Sequence, residues 1–351
     1  MADLDRPAPV RDALDAAALA DWLGETLGVR DAPEVRQYPA GFSNLTYRLD
    51  WPGRHLVLRR PPPGADVKGG HDMGREVRLL RALHGRVPVP AVLGYEPDPD
   101  VLGAPFYVME HVEGVVLRAG APPEPPETMG RVADAFVGAL ADLHAVDVEA
   151  VGLGEMGQPE GYVDRQVEGW ARRYDRAATD AVPDLEAAFD WMRAHQPPES
   201  GAALIHNDAK YDNLVFSPDL AEVRAVLDWE LATVGDPLMD LGSTLGYWVE
   251  PGDPPALRAA ALSPTWWPGN PTRQGLADAY RQRTGRDGGD APFYTVYGLV
   301  KLAVIAQQIY ARWTKGHASD PRFGGLIEVV RACARQAATV VERGRISDLG
   351  R

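Results

Sequence analysis

A dense group of polar residues lies between two strand-like apolar runs in the second half of the chain. The segment LIHNDAKYDNLVF, residues 204–216, brings five polar or charged side chains close together: His206, Asp208, Lys210, Asp212 and Asn213. Burying polar groups without partners is unfavourable, so this segment is poor material for a core. Loops held by rigid strands are where binding and catalytic residues concentrate. The sequence therefore predicts two short strands that present a chemically active loop.

A second strand-like run, AVLDWE at residues 225–230, supplies a further carboxylate, Asp228. Carboxylate and carboxamide oxygens suit Mg²⁺, which takes one or two protein ligands together with phosphate oxygens and water. Asn213 and Asp228 are therefore candidate metal ligands. Asp208 could orient a hydroxyl group and accept its proton, and Lys210 could meet negative charge on a transferred phosphoryl group. An ordinary hairpin with polar turn residues remains the alternative for an Asp–Asn pair taken alone.

Charge and cysteine content limit the partners that the chain can have. The formal net charge is -14 over 351 residues, which argues against nucleic acid as a partner because phosphate binding needs clustered Lys and Arg. The single cysteine, Cys333, allows no disulfide within the chain and fits a reducing compartment. The first residues show no signal-peptide pattern, and no apolar run reaches the ~18 residues of a membrane span. We expect a cytoplasmic protein with no membrane partner.

Periodicity predicts an α+β chain whose strands lie mostly before its helices. A helical pattern over residues 15–28 is followed by a β-hairpin in LTYRLDWPGRHLVLRR, a helix over residues 72–87 and a strand in PFYVMEHVEG. Beyond Met129 helical patterns dominate, interrupted by NLVF and AVLDW. We predict a smaller lobe over residues 1–114, preceded by a loose tail and helix, and a larger helical lobe over residues 115–351.

The polar loop and the segment after it resemble a known family. HNDAKYDN has the spacing of the protein-kinase catalytic loop, H-R-D-x-K-x-x-N. Together with LDWELATVGDPLMDLG, it resembles the aminoglycoside phosphotransferase family of kinase-like small-molecule phosphotransferases, whose members read H-G-D-x-x-x-x-N and I-D-W-E-x-A-x-x-G-D-P. The resemblance covers roughly residues 20–340. GFSNLTYRL, VLRRPPPG, REVRLLRAL, VPVP and GAPFYVMEHVEG are most similar to the branch that also occurs fused to acyl-CoA dehydrogenases.

This resemblance implies a protein-kinase-like two-lobed fold, with a small β-rich N-lobe that binds ATP. In AGFSNLTYRL, Ser43 and Asn44 would replace the glycine-rich loop over the phosphates. A strand cation should contact the phosphates and pair with Glu76. Either Arg59 or Arg60 could supply it; we favour Arg59, because it shares a strand face with Val57.

The resemblance also assigns roles to the hinge and the catalytic loop. Backbone groups of Glu110 and Val112 would contact adenine, with Met109 packed behind it. The resemblance casts Asp208 as the base and Asn213 and Asp228 as the Mg²⁺ ligands. Asp240 would steady the backbone of the catalytic loop. The cofactors that follow are ATP and Mg²⁺.

The function expected from these features is ATP-dependent phosphorylation of a hydroxyl group on a small molecule. The acceptor could be a metabolite, a hydroxyacyl compound or an antibiotic, bound by a monomer or a homodimer. Aromatic residues of the helical lobe are candidates for its pocket: Trp248, Trp266, Trp267, Tyr280, Tyr294, Tyr297 and Trp313. Two alternatives stay open. One is a nucleotide-binding, pseudokinase-like scaffold without transfer activity, and the other is a hydrolase that uses Asp208 with His206.

Overall fold

A computed structural model describes residues 14–29, 31–38, 44–62, 71–121, 123–287, 289–317 and 320–350. The chain divides into two compact units. The first comprises residues 1–116, 214–218 and 223–231, and the second comprises residues 117–213, 219–222 and 232–351. The predicted division into residues 1–114 and 115–351 assigns NLVF and AVLDW, the two strand-like runs that follow the polar loop, to the helical lobe. The structure groups them with the first unit.

The regular elements of the described residues follow in chain order. The strands are β1 (Glu34–Gln37), β2 (Leu45–Trp51), β3 (Arg54–Arg60), β4 (Val92–Glu96), β5 (Phe106–Glu110), β6 (Ala203–Ile205), β7 (Leu214–Phe216), β8 (Val223–Val226) and β9 (Thr233–Gly235). The helices are α1 (Ala16–Leu27), α2 (Met73–Leu83), α3 (Pro99–Leu102), α4 (Pro126–His144), α5 (Tyr162–Ala177), α6 (Pro183–Ala194), α7 (Pro237–Tyr247), α8 (Pro255–Ala260), α9 (Arg273–Thr284), α10 (Ala291–Thr314) and α11 (Leu326–Arg343).

The first unit is built on an antiparallel five-stranded sheet with the order β1-β2-β3-β5-β4. Helix α1 packs its apolar stripe on this sheet, where Leu19, Leu23 and Trp22 are buried. The side chain of Asp15 caps the start of α1, and Gly28 ends it in the left-handed conformation. The predicted helix over residues 15–28 and the predicted hairpin are both present.

The short strands around the polar loop belong to different units. Strand β6 pairs with β9 in the second unit, and β7 pairs with β8 in the first. The loop 206–213 begins directly after β6 and ends directly before β7. Sequence patterns predicted β7 and β8 but not β9, whose segment TVG is too short to show an alternation.

The helices of the second unit pack closely where glycines face one another. A Cβ atom added to Gly298 on α10 would lie 1.9 Å from the carbonyl oxygen of Gly242 on α7. One added to Gly246 would lie 2.3 Å from the backbone of Gly298. Larger residues at these positions would push α7 and α10 apart. Cys333 on α11 is fully buried, as predicted, and burial raises the pKa of its thiol to about 12.

Candidate active site

Asp208 is held by two neighbours that both contact the same carboxylate oxygen. Lys210 Nζ donates a hydrogen bond to Asp208 Oδ2, and Asn213 Nδ2 donates to the same oxygen at 2.8 Å. Asn213 Nδ2 also donates to the backbone oxygen of Asp208 at 2.9 Å. Within the described part of the chain, Oδ1 of Asp208 accepts no hydrogen bond. This oxygen has the chemistry required to accept a proton from a hydroxyl group.

The backbone before Asp208 is fixed by the buried carboxylate of Asp240 on α7. Its two oxygens accept hydrogen bonds from the backbone N–H groups of His206 and Asn207, each at 2.7 Å. His144 Nε2 lies 3.0 Å from the same carboxylate, and His144 Nδ1 lies 2.6 Å from the hydroxyl of Tyr280. Burial would raise the pKa of Asp240, but the hydrogen bond with His144 and the backbone N–H of His206 hold it below its ordinary value. Asp240 therefore steadies the loop, as expected.

His206 has a structural contact rather than a catalytic one. It is completely buried, and its Nδ1 accepts a hydrogen bond from the backbone N–H of Asp208 at 3.2 Å. This bond involves the main chain of Asp208 and leaves its carboxylate to Lys210 and Asn213. A hydrolase with His206 and Asp208 as an acid–base pair would need contact between the two side chains. The geometry therefore does not favour the hydrolase alternative.

Lys210 joins Asp208 to a second buried carboxylate and an aromatic ring. Its Nζ lies 4.0 Å from Asp212 Oδ2 and 5.2 Å from the ring centre of Tyr247. Asp212 in turn accepts a hydrogen bond from Ser263 Oγ at 2.7 Å. Arg118 Nη1 lies 3.9 Å from Asp212. Two cations therefore alternate with two carboxylates next to the proposed base.

Arg59 on β3 is the centre of a buried ionic cluster in the first unit. Its Nε lies 3.3 Å from Glu76 Oε2 on α2, so the predicted pair is present. Its Nη2 lies 2.6 Å from Asp228 Oδ1 and 3.1 Å from Glu230 Oε2. The side chains of Arg59 and Glu76 are only 11% and 3% exposed. Burial raises the pKa of Glu76, and the positive charge of Arg59 opposes that rise.

The structure distinguishes Arg59 from Arg60, the two arginines that could supply the strand cation. Arg60 Nη1 donates to the backbone oxygen of Leu102 at 2.5 Å, and its side chain is buried. Successive side chains of a strand point to opposite faces of the sheet, so Arg59 and Arg60 cannot share these partners. Arg59 is the arginine that contacts Glu76 and Asp228.

Of the two residues predicted to contact the phosphates, Ser43 and Asn44, the structure describes only Asn44. Ser43 lies outside the described residues. Asn44 donates from Nδ2 to Glu230 Oε2 at 2.9 Å, and its Oδ1 lies 2.9 Å from His71 Nδ1. The sequence assigned Glu230 no role beyond its place in the LDWE motif. Glu230 connects Asn44 to Arg59 within the first unit.

The segment predicted to contact adenine lies at the end of β5. Met109 is buried in the sheet, whereas Glu110 and Val112 are half-buried. The backbone N–H of Glu110 donates to the carbonyl of Ala91 at 2.9 Å. Only the carbonyl of Glu110 therefore remains for a donor on a nucleobase. The roles of these three residues stay predictions.

The two candidate metal ligands have the donor chemistry that Mg²⁺ requires. Because both N–H bonds of Asn213 go to Asp208, its amide oxygen Oδ1 is the atom that could bind a cation. Asp228 takes the left-handed backbone conformation, with φ 64°, and its carboxylate is a third exposed. Asn213 belongs to the second unit and Asp228 to the first. Among the described residues no cluster of three or more His, Cys, Asp or Glu could hold a metal.

The expectation that seven aromatic residues line an acceptor pocket is wrong for three of them. Trp248, Tyr280 and Tyr297 are at most 2% exposed and belong to the core of the second unit. Tyr294 is also largely buried but lines a cleft beside His195 and Asp290. Trp266, Trp267 and Trp313 are half-buried. Large aromatic residues bury much apolar area, so packing accounts for the position of the fully buried ones.

A family model described as the phosphotransferase enzyme family matches residues 34–276. The chain belongs to this family. Among curated relatives of this chain, acyl-CoA dehydrogenase family member 10 of Mus musculus is 35% identical over 321 residues, which is 90% of this chain and 30% of that protein. Acyl-CoA dehydrogenase family member 11 of Gallus gallus is 33% identical over 323 residues, or 91% of this chain and 42% of that protein. The chain thus spans about a third to two fifths of these relatives.

Solved structures place this chain among kinase-like folds. A Ralstonia eutropha crystal structure, described as a candidate aminoglycoside phosphotransferase, is 32% identical with a TM-score of 0.80, covering 94% of this chain and 99% of that one. The GDP complex of aminoglycoside 2'-phosphotransferase-IIIa is 16% identical with a TM-score of 0.64, covering 92% and 99%. The second likeness concerns the fold alone. The predicted α+β kinase-like fold, the family and the resemblance to its acyl-CoA dehydrogenase-linked branch are confirmed.

No described helix combines the length and apolar character needed to cross a membrane.

Proposed function

We propose that the chain transfers the γ-phosphoryl group of ATP to a hydroxyl group of a small molecule. The family supports phosphoryl transfer in general. The observation that carries the specific proposal is the state of Asp208. Lys210 and Asn213 fix one of its carboxylate oxygens, and the other oxygen accepts no hydrogen bond from the described residues. Such a carboxylate can orient an acceptor hydroxyl and take its proton.

The chain's own residues would divide the remaining tasks. Asn213 Oδ1 and the carboxylate of Asp228 would hold Mg²⁺, which neutralises charge on the phosphate oxygens when it is bound. Arg59 would bind phosphate through its planar guanidinium, which is competent for this task although kinases use lysine. Asn44, and Ser43 beside it, would donate to the phosphates. Glu76 would orient Arg59 through the ion pair between them.

Lys210 would act during the transfer itself. Its ammonium group lies between Asp208 and Asp212 and carries the charge needed to stabilise a phosphoryl group in flight. The adenine would contact the carbonyl of Glu110 and the backbone of Val112, with Met109 behind it. The acceptor is a hydroxylated small molecule. The names of the curated relatives favour a hydroxyacyl compound over an antibiotic.

A transfer assay tests this proposal. The purified chain is incubated with Mg²⁺, γ-labelled ATP and a panel of sugars, amino alcohols, aminoglycosides, macrolides and hydroxyacyl-CoA thioesters, and products are identified by mass. We expect a labelled product that Asp208→Asn reduces at least a hundredfold, the range for loss of a general base. Asp134→Asn is the matched control, because Asp134 is exposed on α4 and pairs with Arg283; it should leave transfer unchanged.

Other outcomes separate the alternatives. ATP binding without any product, even over a wide panel, would favour the nucleotide-binding scaffold. Equal transfer by the parent and by Asp208→Asn would show that Asp208 is not the general base. Absence of Mg²⁺-dependent ATP binding would contradict the assignment of the nucleotide and metal residues together.

A further inference from the structure

A lysine in the middle of an apolar helix makes direct contact with the catalytic loop. Lys301 lies in YGLVKLAVIAQQ on α10, and its residue is only 3% exposed. Its Nζ donates to the backbone oxygen of Asn207, the residue just before Asp208, and to Ser243 Oγ on α7 at 3.0 Å. Lysine is rarely buried without a partner, because removing its charge from water is unfavourable. A single lysine in an apolar run was a signal that sequence reasoning missed.

The close approach of two helices brings this ammonium group to the loop. Gly242 and Gly246 on α7 face Gly298 on α10 with no space for a Cβ atom. Lys301 follows Gly298 by one helical turn, so its side chain leaves α10 beside the contact. Ser243 lies next to Gly242 and accepts one of the lysine's hydrogen bonds. The glycine contact therefore sets the position from which the lysine side chain extends to the loop.

The carbonyl that Lys301 binds belongs to a residue with an uncommon backbone conformation. Asn207 has φ 64°, in the left-handed region that few residues other than glycine, asparagine and aspartate adopt. Its N–H is bound by Asp240 on one side, and its carbonyl is bound by Lys301 on the other. Strained backbone persists only where its surroundings over-determine it. The orientation of the next residue, Asp208, depends on the Asn207 peptide.

We infer that Lys301 is a positioning residue for the phosphoryl transfer reaction, which sets the direction of the Asp208 carboxylate by holding the carbonyl of Asn207. This inference rests on the proposed function. Lys301 does not touch the reacting groups; it acts through Asn207. Asp240 and Lys301 form two halves of one clamp, a buried anion on the N–H side of the loop and a buried cation on its carbonyl side.

The charges around Lys301 agree with this role. Burial lowers the pKa of Lys301 to about 8, and the charges of Asp208 and Asp240 act against that fall. Lys210 and Arg173 are the cations that lower it further. The ring of Trp170 on α5 lies 5.9 Å from Nζ and covers the lysine from a third helix. Asp208 on the catalytic loop and Asp240 on α7 thus favour the charged form of the Lys301 ammonium group.

The test compares Lys301→Met with a matched variant on the same helix. Gln307→Met removes a buried amide, fully enclosed, whose Nε2 donates to Ala177 O at 2.8 Å and Thr179 Oγ1 at 2.9 Å, away from the catalytic loop. Both variants replace a polar group on α10 by methionine. Hydrogen exchange of the peptide spanning residues 204–213 is measured by mass spectrometry, and nucleotide turnover is measured per folded molecule.

We expect Lys301→Met to accelerate exchange of this peptide at least tenfold and to lower kcat at least tenfold with the KM for ATP unchanged. Gln307→Met should change neither exchange nor kcat by more than about twofold. Lys301→Arg, which retains a charged donor, should restore part of kcat. Equal effects of Lys301→Met and Gln307→Met, or no effect of either, would overturn the inference.

A second variant keeps the inference testable if Lys301→Met does not fold. Ser243→Ala removes one partner of the ammonium group with little change in volume, and we expect a smaller rise in exchange of the same peptide. Unchanged exchange in Ser243→Ala would then overturn the inference. If the parent shows no turnover with any acceptor or with water, the proposed function fails. The exchange measurement still decides whether Lys301 holds the loop.

Discussion

The guanidinium of Arg59 and the carboxylate of Asp228 lie 2.6 Å apart, although 169 positions separate them in the chain. The same guanidinium contacts Glu76 and Glu230, so one cation balances three carboxylates. Breaking a buried ion pair by removing one partner is strongly destabilising, because the other charge remains buried. The stability of the first unit should therefore depend on Arg59.

Replacing Arg59 by Met should lower the free energy of unfolding by about 3–5 kcal/mol. The loss arises because Glu76, only 3% exposed, is left without its cation. Urea denaturation measures this change. Adding Glu76→Gln to Arg59→Met should recover part of the loss, since it removes the orphaned charge. A stability of Arg59→Met within about 0.5 kcal/mol of the parent would show that the cluster is not a structural unit.

Replacing Asp228 by Asn should remove most of the Mg²⁺-dependent stabilisation by ATP. A ligand at ~100 times its dissociation constant adds about 2.7 kcal/mol to the free energy of unfolding. Asparagine tolerates the left-handed backbone of Asp228, so the fold should survive the change. Thermal unfolding with ATP, in Mg²⁺ and in a chelator, gives the Mg²⁺-dependent part.

Asp348→Asn is the control for this measurement. Asp348 is exposed and also has a positive φ, 54°, so the substitution repeats the same chemical change in a similar backbone conformation. It should retain the whole Mg²⁺-dependent stabilisation. If Asp228→Asn is stabilised by Mg²⁺ and ATP as much as Asp348→Asn, Asp228 is not a metal ligand.

Sequence patterns predicted the parts of the fold that local rules control. The apolar stripe of α1, its cap at Asp15 and its end at Gly28 follow from spacing and residue type alone. The polar loop around Asp208 stood out because its composition is unsuited to a core. The choice of Arg59 over Arg60 followed from strand alternation, and the contact between Arg59 and Glu76 agrees with it.

Contacts between distant segments could not be predicted in the same way. Nothing local to Glu230 shows that it will contact both Asn44 and Arg59. Periodicity places Tyr297 on an apolar helix, but it cannot distinguish a core position from a pocket wall, because both are apolar. Lys301 could have been noticed as a charge in an apolar run, yet its partner, the carbonyl of Asn207, is defined only by the crossing of α7 and α10.

Asn207 offers a direct test of backbone strain beside the proposed base. Asn207→Ala should be about 1–2 kcal/mol less stable than Asn207→Gly, because a Cβ atom is disfavoured at φ 64° and glycine has none. Neither variant can keep the contacts of about 3.2–3.3 Å between the Asn207 side chain and the Tyr162 hydroxyl. The difference between the two variants therefore isolates the backbone contribution. Urea denaturation of the pair measures it, and equal stabilities would show that the loop relaxes at this residue.

The buried ammonium of Lys301 should make stability depend on pH in the alkaline range. Its pKa is about 8 in the folded chain, against the ordinary lysine value of 10.5. Below about pH 8 the lysine is protonated in both states, and the unfavourable burial of its charge is fully present. Between about pH 8 and 10.5 the unfolded chain binds more protons, so the free energy of unfolding rises with pH.

Relative to Lys301→Met, the parent should therefore gain about 2 kcal/mol of stability between about pH 7.5 and 9.5. Urea denaturation of both proteins across this range measures the difference. Tyrosines with raised pKa values, such as Tyr297, titrate in both proteins and cancel. Asp208, Asp240, Lys210 and Arg173 also remain in both. A difference that stays constant over this range would mean that the Lys301 ammonium keeps its ordinary pKa, with Asp208 and Asp240 fully compensating its burial.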